Sequence, residues 1–340
     1  MFKNTTILVT GGTGSFGKKF ISNILENFNP KKIIIFSRDE LKQSEMQNDK
    51  LYIKHKKKVR FFIGDIRDYE RLNMSFENVD IVVHAAALKQ VEAAEYNPFE
   101  FIKTNILGAQ NVIRAAHANN VKKIIALSTD KASSPINLYG ATKLCSDKLF
   151  IAANNVGGKK VSKFSVVRYG NVLGSRGSVI PFFLNYPLEK PLPITDLNMT
   201  RFSITLHQSV NFVIERLGSM LGGELYIPKI PSYRTRDIAK AMRPKDKIKV
   251  VGIRPGEKIH EEMISLEEAL YAYELKSFYV VLPKILYQKK NYIPYMKKKY
   301  GLIKKCSENF SYNSKDNKTF LSVYEIRKLL QNNKKDIIIN

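Results

Sequence analysis

Short apolar runs alternate with longer amphipathic stretches over the first 170 residues of the chain. The short runs predict strands at Thr6–Val9, Ile33–Phe36, Val59–Ile63, Ile81–Val83, Ile124–Leu127 and Ser165–Val167. The amphipathic stretches predict helices that include Phe16–Asn27, Thr104–Asn119 and Leu138–Asn154. Continuous apolar strands separated by helices are typical of a parallel sheet that is covered on both faces. The pattern therefore predicts an α/β fold with a doubly wound parallel sheet.

The pattern loosens after Gly170. Residues 174–206 are rich in Pro, Gly and Arg, and a helix at Gln208–Met220 and a strand at Glu224–Pro228 follow. The hypothesis is a sheet domain over residues 1–172, to which 205–229 return. A smaller C-terminal substrate-binding lobe would comprise 173–204 and 230–282, and 283–340 would form a polar extension rich in Lys, Asn and Tyr.

The composition narrows the class of protein. The net charge is +25, but the lysines are spread along the chain without a nucleic-acid-binding motif, which favours a solvated surface that suits small anionic ligands. No apolar run approaches the ~20 residues that span a bilayer, no signal-peptide pattern precedes the first strand, and two cysteines imply no disulfide framework. We expect a cytoplasmic protein without a nucleic-acid or membrane partner. The histidines lack metal-ligand spacing, so no metal site is expected.

A glycine-rich turn follows the first predicted strand and opens the first predicted helix. Gly11, Gly14 and Gly17 recur every third residue. Such glycines permit a tight turn and a close approach of the backbone to a pyrophosphate, which the N–H groups of the helix then bind. The turn predicts a Rossmann-type dinucleotide site. Its contacts would be Gly11, Thr13, Gly14, Ser15, Phe16 and Gly17.

The end of the second predicted strand bears on the choice of dinucleotide. Ser37 and Arg38 suit a ribose 2′-phosphate, Lys42 would add a second positive charge, and NADP is therefore favoured. The alternative is NAD, with Asp39 on the ribose and Arg38 in solvent. Further cofactor contacts are expected after the third and fourth strands, at Asp65, Ile66, Ala85 and Ala86.

Four groups that move protons follow the fifth predicted strand. Asp130 and Lys131 come directly after Thr129, and Tyr139 and Lys143 are spaced i, i+4 on a predicted helix. We expect the Lys143 ammonium to lie beside the phenol of Tyr139 and to lower the tyrosine pKa, which would make the phenol a base near neutral pH. The sequence thus predicts acid–base chemistry next to the dinucleotide.

These parts, in this order, resemble the extended short-chain dehydrogenase/reductases that act on nucleotide sugars. The resemblance runs from Thr6 to about Ile264 and is greatest to the UDP-N-acetylglucosamine 4,6-dehydratases that invert C5 in pseudaminic acid synthesis. Related C5-retaining enzymes typically carry Met in place of Tyr139, and dTDP-glucose 4,6-dehydratases carry Glu in place of Lys131. The matching stretches are Gly11–Lys18, Ser37–Met46, Phe61–Asp65, Ala85–Lys89, Ser128–Ala132, Ile136–Leu144, Val167–Val172, Gly174–Ser178 and Arg254–Lys258.

The resemblance implies an internal redox dehydration with a tightly bound NADP that is regenerated in each turnover. Tyr139, helped by Lys143, would take the C4 hydroxyl proton, and Thr129 would hydrogen-bond the C4 oxygen. Asp130 would protonate the C6 hydroxyl, which requires a raised pKa, and Lys131 would remove the C5 proton, which requires a lowered pKa. Either Lys131 or Tyr139 would return the C5 proton.

The resemblance also implies the residues that bind the UDP-sugar substrate. Lys89, Thr104 and Asn105 would lie between sugar and cofactor, with Lys89 and Val172 also touching the cofactor. The nucleotide end would be bound by Asn171, Ser175, Arg176, Gly177, Ser178, Thr195, Arg201, Arg254 and Glu257.

Several alternatives remain open at the level of the sequence. They are a C5-retaining or epimerising dehydratase, a C4 epimerase, a non-catalytic NADP-binding protein and a basic RNA-binding protein. Relatives form dimers or larger rings, so a homo-oligomer is expected.

Overall fold

The computed structural model describes residues 1–156, 162–175, 177–245, 247–283 and 292–337. The strands are β1 (Thr6–Thr10), β2 (Lys32–Ser37), β3 (Val59–Ile63), β4 (Ile81–His84), β5 (Lys123–Thr129), β6 (Lys163–Tyr169), β7 (Asn171–Val172), β8 (Leu192–Ile194), β9 (Thr200–Ile204), β10 (Leu225–Pro228), β11 (Ser232–Arg234), β12 (Ile248–Val250), β13 (Glu262–Ile264), β14 (Ala272–Glu274), β15 (Phe278–Val281), β16 (Lys304–Lys305) and β17 (Tyr312–Asn313).

The helices include several of only one or two turns. The α-helices are α1 (Ser15–Asn27), α2 (Glu40–Gln47), α3 (Lys50–Lys54), α4 (Tyr69–Ser75), α5 (Val91–Tyr96), α6 (Pro98–Phe101), α7 (Gly108–Ala118), α8 (Leu138–Ala152), α9 (Val179–Leu184), α10 (Leu206–Ser219), α11 (Thr235–Met242), α12 (Leu266–Ala269), α13 (Tyr292–Tyr300) and α14 (Val323–Asn332). The shorter turns are a π-helical segment at Ile102–Leu107 and 3-10 turns at Asp130–Ala132, Ala153–Asn155 and Lys334–Asp336. No helix of the described residues is long and apolar enough to cross a membrane.

The main sheet has ten strands in the order β16-β14-β15-β10-β6-β5-β4-β1-β2-β3. The run from β3 to β10 is parallel, and β15, β14 and β16 extend it antiparallel. Every residue of β1 is buried, as expected for a strand with helices over both faces. α1 packs against α10, while α7 packs against α4 and α8. The predicted α/β fold with a large parallel sheet is confirmed.

A second, smaller core lies beside the sheet. Its apolar side chains include Phe183, Leu192, Tyr233 and Ile238, so it draws on both stretches assigned to the smaller lobe. Two short sheets, β11-β9-β7 and β12-β8, belong to the same half of the chain. The division of the chain at residues 172, 204 and 229 stays a prediction.

The described part of the C-terminal extension packs into the rest of the protein. β16 forms the edge of the main sheet beside β14, and β17 pairs with β13. α14 packs against α11 and buries Ile326 in the second core. Strands of two residues are too short for a periodicity analysis, which is why the sequence suggested only a polar extension.

Candidate active site

A cavity of about 850 Å³ opens at the carboxyl ends of β1, β4, β5 and β6. Ligands bind at this edge in open α/β sheets, where the loops after neighbouring strands converge. The cavity is lined from the β1 turn by Gly11, from the β4 end by Ala85, and from the β5 end by Thr129. Its size is within the range of sites that bind small molecules.

The glycine-rich turn fits a dinucleotide pyrophosphate. Gly11 has a φ of +66°, and a Cβ there would lie 2.9 Å from the backbone of Ala86, so a larger residue would be both strained and obstructed. Gly14, the N-cap of α1, makes no side-chain cap, and the first turn of the helix has no acidic residue. Gly14, Ser15, Phe16 and Gly17 all line the cavity. The N–H groups and dipole of α1 are therefore available to an anion.

The residues predicted to contact the adenosine ribose lie beyond the cavity lining. Ser37 Oγ lies 2.7 Å from Thr13 Oγ1, and Arg38, with its side chain 52% exposed, pairs with Asp65 at 3.5 Å. Asp39 caps α2 by accepting from the Lys42 amide, and its carboxylate also pairs with the Lys42 ammonium. The predicted cofactor residues outside the lining are Thr13, Ser37, Arg38, Lys42, Asp65, Ile66 and Ala86.

The proton-moving residues converge at one end of the cavity. Thr129 ends β5, and the 3-10 turn that follows contains Asp130 and Lys131. Asn137 caps α8, which carries Tyr139 and Lys143. Thr129, Lys131, Tyr139 and Lys143 line the cavity, whereas Asp130 is fully buried beside them.

Gly140 brings α8 against the Asp130–Ala132 turn. A Cβ at Gly140 would lie 2.2 Å from the carbonyl oxygen of Lys131, so a glycine is required for this contact. The contact places Tyr139 next to the turn that carries Asp130 and Lys131.

Lys143 does not act on Tyr139 as expected. Its Nζ donates to the carbonyl oxygen of Leu127 at 2.8 Å. Burial raises the pKa of Tyr139 to about 12, against the opposing effects of the Lys131 charge and a hydrogen bond with Thr129. The expected lowering of this pKa by Lys143 is wrong, because desolvation of the phenol dominates.

The pKa of Asp130 is shifted in the direction that its expected role requires, whereas the pKa of Lys131 is not. Burial, reinforced by Glu261, raises the pKa of Asp130 although Lys131 and Thr129 oppose it, and this is the direction that a general acid requires. Burial lowers the pKa of Lys131, but the charges of Asp130 and Glu261 outweigh it and leave that pKa raised. The expected lowered pKa of Lys131 is therefore wrong, since the ammonium lies between two carboxylates.

Glu261 was missed by the sequence analysis. It lines the cavity, is 2% exposed, and places Oε1 3.1 Å from Lys131 Nζ. It follows the Arg254–Lys258 stretch in a run of charged residues that carries no local signal of burial. Other lining residues that the sequence analysis did not assign to the site include Tyr169, Met199, Tyr233 and Lys258.

Paired charges also line the cavity among the residues that were expected to bind the nucleotide. Arg201 Nη2 lies 3.4 Å from Glu257, and Arg254 Nε lies 3.2 Å from the same carboxylate. Arg254 also pairs with the exposed Glu92 at 3.5 Å. The predicted substrate residues that line the cavity are Lys89, Asn171, Ser175, Gly177, Ser178, Thr195, Arg201, Arg254 and Glu257, and Val172 lines it as well.

Two predicted substrate residues among those that the structure describes, Thr104 and Asn105, do not line the cavity. Asn105 is buried and its side chain bonds the backbone of Leu88 and the hydroxyl of Thr142, so it braces the β4 loop against α8. Thr104 is buried beside it, with Oγ1 lacking a hydrogen-bond partner among the described residues. Arg176 lies outside the described residues. Within the described ranges there is no cluster of His, Cys, Asp and Glu that would hold a metal ion.

Comparisons with known proteins show the family to which the chain belongs. A family model described as polysaccharide biosynthesis protein matches residues 7–283. A relative from Campylobacter jejuni, named UDP-N-acetylglucosamine 4,6-dehydratase (inverting), is 52% identical over 97% of this chain and 98% of its own. A Rickettsia bellii relative named UDP-glucose 4-epimerase is 44% identical over 82% of this chain and 83% of its own.

A solved structure extends the similarity to the whole fold. The structure of Pen from Bacillus thuringiensis has a TM-score of 0.87 and 39% identity, covering 98% of this chain and 99% of that one. The predicted family resemblance is thus confirmed over nearly the full chain. The chain belongs to the polysaccharide biosynthesis protein family, in the short-chain dehydrogenase/reductase group that includes the inverting UDP-N-acetylglucosamine 4,6-dehydratases.

Proposed function

We propose that the protein is a UDP-N-acetylglucosamine 4,6-dehydratase that inverts C5. The observation that carries the proposal is the convergence of Thr129, Asp130, Lys131 and Tyr139 at one end of a cavity that also contains the glycine-rich turn. The inverting dehydratase from Campylobacter jejuni, at 52% identity, supports the substrate and the reaction.

The cavity fits a nicotinamide dinucleotide, which would accept hydride from C4 of the sugar and return it to C6. The N-terminus of α1 would bind the pyrophosphate. We propose NADP rather than NAD, because Asp39 already caps α2 and pairs with Lys42, while the guanidinium of Arg38 is half exposed at the end of β2. A guanidinium suits a 2′-phosphate through paired hydrogen bonds.

We propose a role for each of the residues that transfer protons. Tyr139 takes the proton of the C4 hydroxyl while Thr129 hydrogen-bonds the oxygen, and the resulting ketone acidifies C5. Asp130, held protonated by burial, gives its proton to the C6 hydroxyl, which leaves as water. Lys131 acts on the C5 proton, and Lys131 or Tyr139 returns a proton to the opposite face, which gives inversion.

Because the Lys131 ammonium is paired with Glu261, it must release its proton before it can act as a base. Lys143 is assigned to holding the end of β5 through Leu127. The substrate diphosphate would be bound by Arg201 and Arg254, which both line the cavity.

A UDP-sugar 4-epimerase is the second candidate. The Rickettsia relatives that carry that name favour it. An epimerase needs the C4 oxidation but no acid at C6 and no base at C5. The buried Asp130–Lys131–Glu261 group therefore favours the dehydratase. A role in pseudaminic acid synthesis, a cytoplasmic location and a homo-oligomer stay predictions.

The test is incubation of the purified protein with UDP-N-acetylglucosamine in D2O, followed by NMR and mass spectrometry, with Tyr139→Phe as the inactive control. Loss of one water, deuterium at C5 and an L-configured 4-keto-6-deoxy product are expected. A D-configured product would keep the dehydratase and overturn inversion. Recovery of the C4 epimer without water loss would identify an epimerase, and no change with added NADP would contradict both.

A further inference from the structure

We propose that Glu261 is a positioning residue that holds Lys131 as its ion-pair partner and thereby leaves Asp130 able to carry a proton. The inference rests on the proposed function, in which Asp130 is the acid for water loss. It concerns Glu261, which directly precedes β13, lines the cavity and contacts Lys131 from outside the Asp130–Ala132 turn.

The geometry places one ammonium between two buried carboxylates. Lys131 Nζ lies 3.1 Å from Oδ1 of Asp130 and 3.1 Å from Oε1 of Glu261. Both carboxyl side chains are almost fully buried, at 0% and 2% exposure. Lys131 alone cannot neutralise both carboxylates at low dielectric, so the carboxyl that lacks a second cation is expected to be protonated.

The surrounding cations decide which carboxyl stays ionised. Glu261 is also 3.6 Å from Nε of Arg201, whereas the ion pair of Asp130 within the described residues is with Lys131. The remaining oxygens, Oδ2 of Asp130 and Oε2 of Glu261, are both buried without a hydrogen-bond partner among the described residues, so it is the cations that distinguish the two carboxyls. A carboxylate with two cations is stabilised more than one with a single cation. Glu261 is therefore the carboxylate and Asp130 the neutral acid.

The directions of the pKa shifts agree with this assignment. Burial and the charge of Glu261 raise the pKa of Asp130, with Lys131 opposing. Burial would raise the pKa of Glu261 too, but Lys131 and Arg201 outweigh it and lower that pKa. Three other titratable groups interact with Asp130, Lys131 or Glu261. They are Tyr139 on α8, Tyr233 on β11 and Lys258 in the loop before β13.

The C-terminal extension holds Glu261 in place. The amide of Glu261 donates to Oγ of Ser314 at 2.9 Å, and the amide of Ser314 donates to the carbonyl oxygen of Glu261 at 2.7 Å. Ser314 is fully buried, and its hydroxyl also lies 2.7 Å from Oγ1 of Thr200. The extension therefore helps to position the Glu261 carboxylate by binding the backbone of Glu261.

The test measures the protonation of Asp130 directly. The protein is labelled with 13C at the aspartate side-chain carboxyl, and the Asp130 signal is assigned by its loss in Asp130→Asn. Glu261→Gln removes the negative charge that favours the protonated acid, so the Asp130 signal should titrate at lower pH by at least about one unit, a tenfold change in the ionisation equilibrium. Glu261→Asp, which keeps the charge, should restore most of the original titration.

Glu262→Gln is the matched control, because its carboxylate accepts from Ser133, Ser134 and Ser311 instead of from Lys131. It should leave the titration of Asp130 unchanged. An unchanged titration in Glu261→Gln, or an equal shift in Glu262→Gln, would overturn the proposal. Should Glu261→Gln fail to fold, Ser314→Ala provides the second variant, with a smaller shift in the same direction expected and no shift contradicting the proposal.

Turnover supplies the second readout. Asp130 must be protonated to act, so the alkaline limb of the kcat–pH profile should move to lower pH in Glu261→Gln together with the NMR titration. A loss of kcat at all pH values without such a movement would indicate a merely structural role and overturn the inference. The NMR titration needs no substrate, so failure of the dehydratase assignment would be seen as absent turnover in the unaltered protein and would not be confused with failure at Glu261.

Discussion

The ammonium of Lys143 donates a hydrogen bond to the carbonyl oxygen of Leu127 at 2.8 Å and so ties α8 to β5. The phenol of Tyr139, one turn earlier on α8, depends instead on Lys131 and Thr129 for the effects that favour its ionised form. In the proposed mechanism, hydride chemistry at C4 and proton chemistry at C5 and C6 therefore share one cation, Lys131.

Tyr139→Phe should abolish C4 oxidation and keep the fold, since the ring stays packed against Ala94 and Phe101. The loss expected from removing a general base is about 10²–10⁴-fold. Because burial raises the pKa of Tyr139 to about 12, the rate of C4 oxidation in the unaltered protein should rise with pH through the neutral range. Stopped-flow absorbance of the reduced cofactor measures both effects, and a rate that falls with rising pH would contradict the role of Tyr139.

Lys131→Ala should separate oxidation from water loss. The variant keeps Tyr139 and should still reduce the cofactor in a single turnover, more slowly because the Lys131 charge no longer favours the ionised phenol, whereas water release should fall by about 10²–10⁴-fold. Lys122→Ala, on the exposed lysine just before β5, is the control and should behave as the unaltered protein. Mass spectrometry of the product with and without 18O at C6 measures the water loss, and a near-original rate would show that Lys131 is not required.

Arg38→Ala should change the choice of dinucleotide. Loss of a charged hydrogen bond to the 2′-phosphate is expected to weaken NADP binding by roughly 10- to 100-fold and to leave NAD binding nearly unchanged. Calorimetric titration with both dinucleotides measures the change. Arg60→Ala, on the exposed face of β3, is the control. Equal losses for NADP and NAD would remove Arg38 from the recognition of the phosphate.

Gly11→Ala should weaken cofactor binding more than it lowers the stability of the fold. A Cβ at Gly11 meets the backbone of Ala86 at 2.9 Å, whereas Gly301, with a similar φ of +77°, has open space around its Cβ position. Gly301→Ala therefore reports the positive φ alone, which costs roughly 1 kcal/mol. The cofactor bound after purification, read by absorbance, should fall sharply in Gly11→Ala alone. Equal retention in both variants would show that close approach at Gly11 is not needed.

His84 should make the fold sensitive to acid. Burial, with a small contribution from Lys143, lowers its pKa to about 3, so the folded protein does not take up the proton that the unfolded chain binds below pH 6.5. Stability is then present above pH 6.5 and is lost as pH falls toward about 3. At pH 5 the loss from this one residue should be about 2 kcal/mol relative to neutral pH, at 1.36 kcal/mol per pH unit.

Urea unfolding of His84→Gln at neutral pH and at pH 5 measures that loss. The variant should be less stable at neutral pH, because Nδ1 of His84 bonds Oγ1 of Thr10, yet should lose about 2 kcal/mol less on acidification. His207→Gln, on an exposed histidine, should keep the full acid sensitivity. Identical acid sensitivity in His84→Gln and the unaltered protein would contradict the buried neutral state of His84.

The sequence by itself determined the features that depend on neighbouring residues. Apolar runs such as Ile81–Val83 predicted the buried parallel strands, because a strand with both faces covered leaves no polar alternation. The spacing of Gly11, Gly14 and Gly17 predicted the turn between β1 and α1, and the order of Thr129, Asp130, Lys131 and Tyr139 indicated the family. These signals depend on residues that are close in sequence, so they can be recognised without knowledge of the packing.

The directions of the pKa shifts at the site were visible only in the tertiary structure. Glu261 is 130 residues from Lys131 along the chain but 3.1 Å away in space, and its charge adds to that of Asp130 in raising the pKa of Lys131, opposite to the expected shift. Lys143 and Tyr139 have the spacing of partners, yet the Lys143 ammonium donates to the carbonyl oxygen of Leu127. Burial, the largest effect on the phenol, raises the pKa of Tyr139. A pKa depends on desolvation and on every nearby charge, and both come from segments such as Ser314 and Glu261 that only folding brings together.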